Sequence, residues 1–327
     1  MTSVALVCTV YNEGGSIEEL LDSVVAQTRQ PEEAIFVDGG SEDGTQEVIQ
    51  EYASEHGWIK LLVEEGCNIA EGRNRGVEET DADIIATTDG GCVLDEKWLE
   101  NLVESFPEAD VSAGVFRPKT DGSRFKEVLG VLETPDIENL PEDWPPSSRS
   151  QAFKRDAWEA VGGYPEDLYT AEDTEFNRQL KQAGCKYQIA RDAVVYWEMR
   201  DSLEEVFDQY RLYGRGDAEN DTLKGLKSGN YNAVKTAGLL ALSLMAMTTP
   251  LIALSPLYGA PGLLSLLFLL FYRVRDLGRD ALDPRNLYEL VKINAAMRSG
   301  YFTGFIGQYF RRVLQARGRR PRSRGKT

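Results

Sequence analysis

The chain has 327 residues, with 53 Asp and Glu against 36 Lys and Arg, for a formal net charge of −17. This length suits one large domain with an appendage or two ordinary domains, and a hydrophobic content of 42% permits a full core. The acidic balance argues against nucleic acid as a general partner, and a single histidine, His56, excludes Ser-His-Asp and multi-histidine zinc sites, so acid–base chemistry falls to carboxylates, Tyr, Cys or Lys.

Met1-Thr2-Ser3 leads directly into Val4-Ala5-Leu6-Val7, with no basic flank, so no signal peptide is expected. Residues 4–10 read as a strand. Residues 16–26 read as a helix with Ile17, Leu20, Leu21, Val24 and Val25 on one face. A short strand at 34–37, a helix at 43–55, a strand at 59–63 and a helix opening at 72 follow. Residues 84–88 read as a buried strand and 96–106 as a helix. This alternation predicts an α/β fold with a doubly wound sheet, in which ligands bind beyond the carboxyl ends of the strands. Polar clusters lie there: Tyr11-Asn12-Glu13, Asp38-Gly39-Gly40-Ser41 and Thr88-Asp89-Gly90-Gly91. No GxGxxG follows the first strand, which counts against a dinucleotide-binding domain. The four cysteines (Cys8, Cys67, Cys92, Cys185) are far apart and predict neither a zinc knuckle nor a disulfide framework. Residues 117–150, rich in Pro, Asp and Glu, are expected to form a long irregular loop near a site, and order is expected to return over 156–188.

Residues 236–272 carry no charge. As one helix they would run about 55 Å, against a bilayer core of about 30 Å. Two spans, about 236–254 and 258–272, with a turn at Ser255–Pro261, fit better, as a transmembrane or re-entrant hairpin. A buried hairpin in a soluble protein is the alternative. Basic residues flank both ends, and eight Arg and Lys with no acid fill 311–327, so both ends are expected on the cytoplasmic face of a cell membrane. Residues 287–314 are partly amphipathic and are expected along the membrane surface. The domains read as 1–220, a membrane hairpin at 221–275, and C-terminal helices with a basic tail at 276–327.

Three motifs occur in order after strands: Tyr11-Asn12-Glu13, then Val37 to Thr45 (VDGGSEDGT), then Ala70 to Gly76 (AEGRNRG). Together they resemble family 2 glycosyltransferases, the inverting enzymes with a GT-A fold. Ala171-Glu172-Asp173-Thr174-Glu175 is similar to that family's G-E-D-x-E stretch, and residues 210–216 (YRLYGRG) to the tail of its non-processive members. The resemblance implies a mixed Rossmann-like sheet, a nucleotide-diphosphate sugar as donor and a divalent cation, Mg²⁺ or Mn²⁺. Tyr11, Asn12, Glu13, Asp38, Arg73 and Asp89 are then the candidate donor-binding residues, with Asp38 accepting from a base N–H and Arg73 placed for phosphate oxygens.

Inverting transfer needs a carboxylate base and a stabiliser for the leaving diphosphate. Asp173 is the candidate base by resemblance, with Glu172 beside it either touching the acceptor or capping the helix. Asp89 matches the first Asp of the family's DxD, and Gly91 stands at the second. Glu198, in Tyr196-Trp197-Glu198, is the candidate second metal ligand, with an ordinary solvated carboxylate as the alternative. Gln209-Tyr210-Arg211-Leu212-Tyr213 lacks the Arg and Trp of the processive Q-x-x-R-W motif, so a single sugar is expected to be added. The membrane segments point to a lipid-borne acceptor, such as a polyprenyl- or dolichyl-linked glycan. Transfer to free lipid phosphate and a non-catalytic nucleotide-sugar scaffold are the alternatives. The acidic, Lys-poor surface resembles proteins of salt-loving organisms, and an archaeal chain of this kind would suit N-glycan assembly.

Overall fold

The apolar runs of the N-terminal half become the middle of one sheet. The structure is a computed structural model that describes residues 2–141, 144–168, 170–219 and 283–318. Its strands are β1 (Val4–Val10), β2 (Glu33–Asp38), β3 (Ile59–Val63), β4 (Ile84–Asp89), β5 (Cys92–Leu94), β6 (Val111–Lys119), β7 (Gln151–Lys154) and β8 (Tyr187–Glu198). They form one sheet in the order β3-β2-β1-β4-β7-β6-β8-β5. The first four in this order are mutually parallel. β7 then runs antiparallel to both β4 and β6, and β5 antiparallel to β8. The sheet is therefore mixed. β1, β2 and β4 are buried along nearly their whole length, so they read as continuous apolar runs and not as alternating ones.

Helices α1 (Ile17–Val25), α2 (Thr45–Glu55), α3 (Ile69–Glu78), α4 (Trp98–Val103), α5 (Arg124–Glu133), α6 (Arg155–Val161) and α7 (Glu172–Gln182) accompany these strands. α3 begins earlier than the expected start at residue 72. Asn68 accepts from the Ala70 and Glu71 amides, while the Glu71 carboxylate takes the Asn68 amide, and this capping box sets the first turn. Along α3, Gly76 lets the helix lie directly on β1. A Cβ there would sit 2.5 Å from Val7 Cγ1. One core cluster joins β1 and β4 (Val7, Ile85) to α3, α6 and α7 (Val77, Ala157, Phe176, Leu180).

The expected irregular loop at 117–150 is corrected in part. It holds the end of β6 and the helix α5, which Ser123 caps by accepting from the Lys126 amide, with Val128, Leu129 and Leu132 buried. The Pro and acidic composition of the flanking residues masks this short apolar face in the sequence.

The chain divides into two units, Met1–Met199 and Arg200–Thr327. In the second, α8 (Leu203–Glu219) packs along α9 (Pro284–Gly318). Their backbones meet where Gly214 faces the Tyr301 carbonyl, Gly300 the Phe207 carbonyl and Gly304 the Arg211 carbonyl. Leu290, Ile293 and Met297 are buried on α9. No helix among the described residues is long and apolar enough to cross a membrane. The expected hairpin at 221–275, the residues after it to 282 and the end of the basic tail lie outside the described residues.

Gly76→Ala is expected to destabilise the protein by about 1–3 kcal/mol through overpacking against Val7. Val7→Ala in the same chain should return part of that loss. Urea midpoints of the two single variants and the double variant measure the coupling.

Candidate active site

The site is built at the carboxyl ends of β1, β2 and β4. The first two loops are stitched together by local polar bonds. The Asn12 amide donates to Ser41 Oγ (2.8 Å), Asn12 Oδ1 accepts from the Glu42 amide (3.0 Å), and the Glu13 amide donates to Thr45 Oγ1 (2.9 Å). Asn12 holds φ at 54°, a left-handed conformation that its short amide tolerates better than most side chains. Asp38 is fully buried and organises the second loop. Its carboxylate accepts from the Gly40 and Ser41 amides (2.9 and 2.8 Å), Ser41 Oγ (2.5 Å) and Gln46 Nε2 (2.7 Å). The Tyr11 ring is 63% exposed. A Cβ on Gly39 would lie 3.5 Å from that ring and 3.6 Å from the Cys67 carbonyl, so the missing side chain leaves a slot between ring and carbonyl.

Asp89 ends β4, and the chain turns through Gly90 and Gly91, the latter at φ 70°. The Glu13 side chain lies against this turn, with its Oε1 2.7 Å from where a Cβ on Gly90 would be, so a larger residue there would have to push the Glu13 side chain aside. Ser16 Oγ donates to the other Glu13 oxygen (2.8 Å). The Glu198 amide donates to the Gly91 carbonyl (2.9 Å), which puts the end of β8 beside the same turn.

Arg73 is the centre of the arrangement. Its Nη2 lies 2.6 Å from Asp89 Oδ1 and its Nη1 2.5 Å from Glu172 Oε1, and the side chain is only 2% exposed. Its guanidinium carbon stands 5.3 Å from the centre of the Tyr164 ring. That ring stacks on Phe176 (4.0 Å, 26°), and its hydroxyl pairs with Ser148 Oγ (2.9 Å). Burial alone would lower the Arg73 pKa, but Asp89 and Glu172 more than reverse this and hold it above the usual value. Burial pushes the Glu172 carboxyl up, Arg73 opposes this, and the charge of Asp173 adds to the rise. Burial also pushes Tyr164 up to about 12, against the pull of Arg73, so its phenol stays protonated.

Asp173 follows in the first turn of α7, partly exposed, with Ser147 Oγ 3.4 Å from its Oδ2 and the Thr174 amide 2.6 Å from its Oδ1. The helix is entered through Ala171 at φ 61°. A left-handed alanine is strained by roughly 1–2 kcal/mol, and this is the position of the glycine in the G-E-D stretch that the segment resembles.

Arg149 joins the site without any motif to announce it. β4 and β7 pair antiparallel as far as Thr87 opposite Gln151, and the turn just before β7 brings Arg149 beside Asp89. Arg149 Nε lies 3.9 Å from Asp89 Oδ2, and the guanidinium covers the Trp197 ring (3.8 Å to its centre) beside Phe116 (5.0 Å). Asp89 thus stands between two guanidinium groups. Among the described residues, no three His, Cys, Asp or Glu come together as a group that would hold a metal alone. Asp89 is 22% exposed, and a cation carried by a diphosphate needs only one or two protein carboxylates, its other ligands being phosphate oxygens and water. The residues present fit a cation of that kind.

The sequence family described as Glycosyl transferase family 2 matches residues 5–160. The glycosyltransferase AglE of Haloferax volcanii is 26% identical over 237 residues, covering 66% of this chain and 73% of that protein. The glucosyl-dolichyl phosphate glucuronosyltransferase of Haloferax volcanii is 27% identical over 170 residues, 49% of this chain and 54% of that protein. The mannosyltransferase PcManGT from Pyrobaculum calidifontis, solved with GDP-Man and Mn²⁺, superposes with a TM-score of 0.60 at 18% identity, covering 93% of this chain and 86% of that one. That likeness assigns the mixed α/β sheet to the GT-A-like fold.

Arg73→Met would leave two carboxylates facing one another with no cation between them. A loss of about 3–5 kcal/mol is expected near neutral pH. Glu172 ionises in the unfolded chain near 4.5 but higher in the folded one, so the folded variant loses stability as pH rises through that window. Urea unfolding at pH 5 and pH 8 should show the larger loss at pH 8. Ala171→Gly is expected to raise stability by up to about 1 kcal/mol, since relief of the left-handed strain outweighs the entropy of glycine. Thermal melting reads this directly.

Proposed function

We propose that this chain, whose residues 5–160 match the family 2 glycosyltransferase model, is a glycosyltransferase that moves one sugar, with inversion, from a nucleotide-diphosphate donor to a lipid-linked glycan at a membrane surface. The observation that carries this reading is the Arg73 bridge. One guanidinium ties Asp89, at the end of β4, to Glu172, the residue before the candidate base. Donor turn and base helix are thereby held in fixed relation.

In this reading the nucleotide lies along the Tyr11 and Gly39 slot and its diphosphate approaches the Gly90–Gly91 turn. The missing side chains at 90 and 91 allow the backbone to come close to phosphate. A divalent cation, Mg²⁺ or Mn²⁺, held by Asp89 with the diphosphate would offset the charge that the leaving group gains. Glu198, at a strand end bonded to Gly91, is the second candidate ligand. Asp173 takes the proton of the acceptor hydroxyl as that oxygen bonds the anomeric carbon and the nucleoside diphosphate departs. Inversion follows from this single displacement. Tyr164, Phe176 and Phe153 form a rigid aromatic wall beneath Arg73, so the bridge cannot collapse.

The acceptor rests on two supports. The uncharged run at 236–272 is long enough for a membrane hairpin. The Haloferax volcanii glucuronosyltransferase is named for a lipid-borne glucosyl acceptor.

The test is a transfer assay with a panel of nucleotide sugars, supplied with Mg²⁺ or Mn²⁺, in vesicles holding either dolichyl phosphate or a dolichyl-linked oligosaccharide. Transfer to the oligosaccharide, with the anomer opposite to that of the donor by NMR, is the expected result. Transfer to dolichyl phosphate alone would replace the acceptor assignment. Asp173→Asn should lower kcat by about 10²–10⁴-fold with donor affinity kept, and wild-type turnover in that variant would remove Asp173 as base. Asp89→Asn should raise the cation concentration needed for half-maximal rate, and an unchanged requirement in Glu198→Gln would remove Glu198 as a ligand.

A further inference from the structure

We propose that Asn177 is a positioning residue for the transfer: its buried side-chain amide holds the backbone of Asp173, and the loop that brings the Ser147 hydroxyl to Asp173, against the sheet. The inference rests on the reading of Asp173 as the base. Asn177 lies in α7 one turn after Asp173 and is 7% exposed. Its Nδ2 donates to the Asp173 carbonyl (2.9 Å), the Pro146 carbonyl (3.3 Å) and Gln151 Oε1 (3.2 Å). Its Oδ1 accepts from Gln151 Nε2 (2.7 Å). The reversed amide would set an oxygen against three oxygens, so the network fixes which end is nitrogen. Gln151 is fully buried at the first position of β7, opposite Thr87 of β4 and Ala113 of β6.

Packing alone does not call for two amides here. Phe176 and Leu180 already fill the buried face of α7, and asparagine is a weaker helix former than leucine because its amide competes for backbone groups. The amides supply a fixed point shared by three segments. The first turn of α7 needs one, since it is entered through the left-handed Ala171 and has no side-chain cap. Residues 144–150 form no helix or strand, yet they deliver Ser147, whose Oγ donates to Asp173 Oδ2 (3.4 Å). Asn177 ties both segments at once, and Gln151 ties Asn177 to the sheet. This tie is separate from the Arg73 bridge. Arg73 holds the Glu172 side chain from α3, whereas the amide pair holds the carbonyl of Asp173 itself from β7. Thr87, opposite Gln151, lies two residues before Asp89, so base and donor turn are related through the sheet as well. A displacement of about 1 Å in a catalytic group can cost roughly 10²-fold in rate. Loss of the tie is therefore expected in kcat and not in donor binding.

The experiment compares the full chain with Asn177→Leu, Gln151→Met and the double variant Gln151→Met/Asn177→Leu. Three measurements are made: urea midpoints, amide hydrogen exchange without substrates, and transfer kinetics with the nucleotide sugar and dolichyl-linked oligosaccharide that react in the vesicle assay above. Either single variant leaves a buried amide without its partner and should lower the urea midpoint. The double variant replaces both amides by apolar groups of similar shape and should recover most of that loss. Its kcat should nevertheless stay about 10- to 100-fold below that of the unsubstituted chain, with donor KM changed by less than about 2-fold. In Asn177→Leu and in the double variant, exchange should speed by about 10-fold or more in peptides covering 144–150 and 171–176 together, with residues 4–10 of β1 unchanged.

Return of kcat in the double variant to within about 2-fold of the unsubstituted chain would make the amide pair a packing element and overturn the inference. So would a fall in kcat matched by an equal rise in donor KM, which would mark a distorted donor slot. Exchange unchanged in the two segments, or faster in only one of them, would overturn it without reference to activity. If both leucine variants failed to fold, judged by their melting curves, Asn177→Ala would be read by the same exchange and kcat measures. Failure of the glycosyltransferase reading has a separate signature: the unsubstituted chain would transfer no sugar from any donor of the panel, while the exchange result would still decide whether Asn177 holds the two segments together.

Discussion

One buried cation organises the catalytic unit. Arg73 stands with both terminal nitrogens on carboxylates from different elements, Asp89 at the end of β4 and Glu172 at the start of α7. A buried guanidinium is unfavourable alone, and so is each buried carboxylate alone. Only their joint placement is tolerable, so the ends of a strand and a helix far apart in sequence must meet at one point. The aromatic wall of Tyr164, Phe176 and Phe153 excludes water from beneath the group, which strengthens the pairs and fixes their geometry.

From this constraint the rest of the site follows. Gly76 lets α3 settle on β1, which brings Arg73 to the depth of Asp89. The strained Ala171 aims the first turn of α7 so that Glu172 points inward while Asp173 stays partly exposed. Adjacent acids on one helix thereby take different environments. One is buried and tied to Arg73, and the next is partly exposed. On the other side of Asp89 the turn leading into the antiparallel β7 delivers Arg149. A fully parallel sheet would have placed the other end of that strand here, so the change of direction at β7 is what furnishes a second guanidinium beside the same carboxylate.

Much of the N-terminal half is legible in the amino-acid sequence. β1, β2 and β4 are buried on both faces, and such strands stand out as unbroken apolar runs, as at Val4–Val10 and Ile84–Asp89. The loop residues Tyr11, Asn12, Glu13, Asp38 and Asp89 lie at strand ends, as their positions after those runs require. Less legible are the elements whose signals are short or contradictory. β5 has three residues and borrows its stability from β8. α5 is framed by Pro and acidic residues, and its apolar face is too brief to stand out.

The sequence by itself determined the order of motifs, the strand-end placement of the polar loops and the kind of chemistry open to a chain with one histidine. Local rules suffice for these, because apolar periodicity, turn residues and spacing act over a few neighbours. Tertiary structure decided which charges meet. Nothing in Arg73 distinguishes a surface ion pair from a buried bridge until β4 and α7 are brought together. Nothing in Arg149 marks it at all until β7 is paired with β4 and β8 supplies Trp197. Electrostatic roles depend on distance and solvent access, and both are set by contacts between residues remote in the chain.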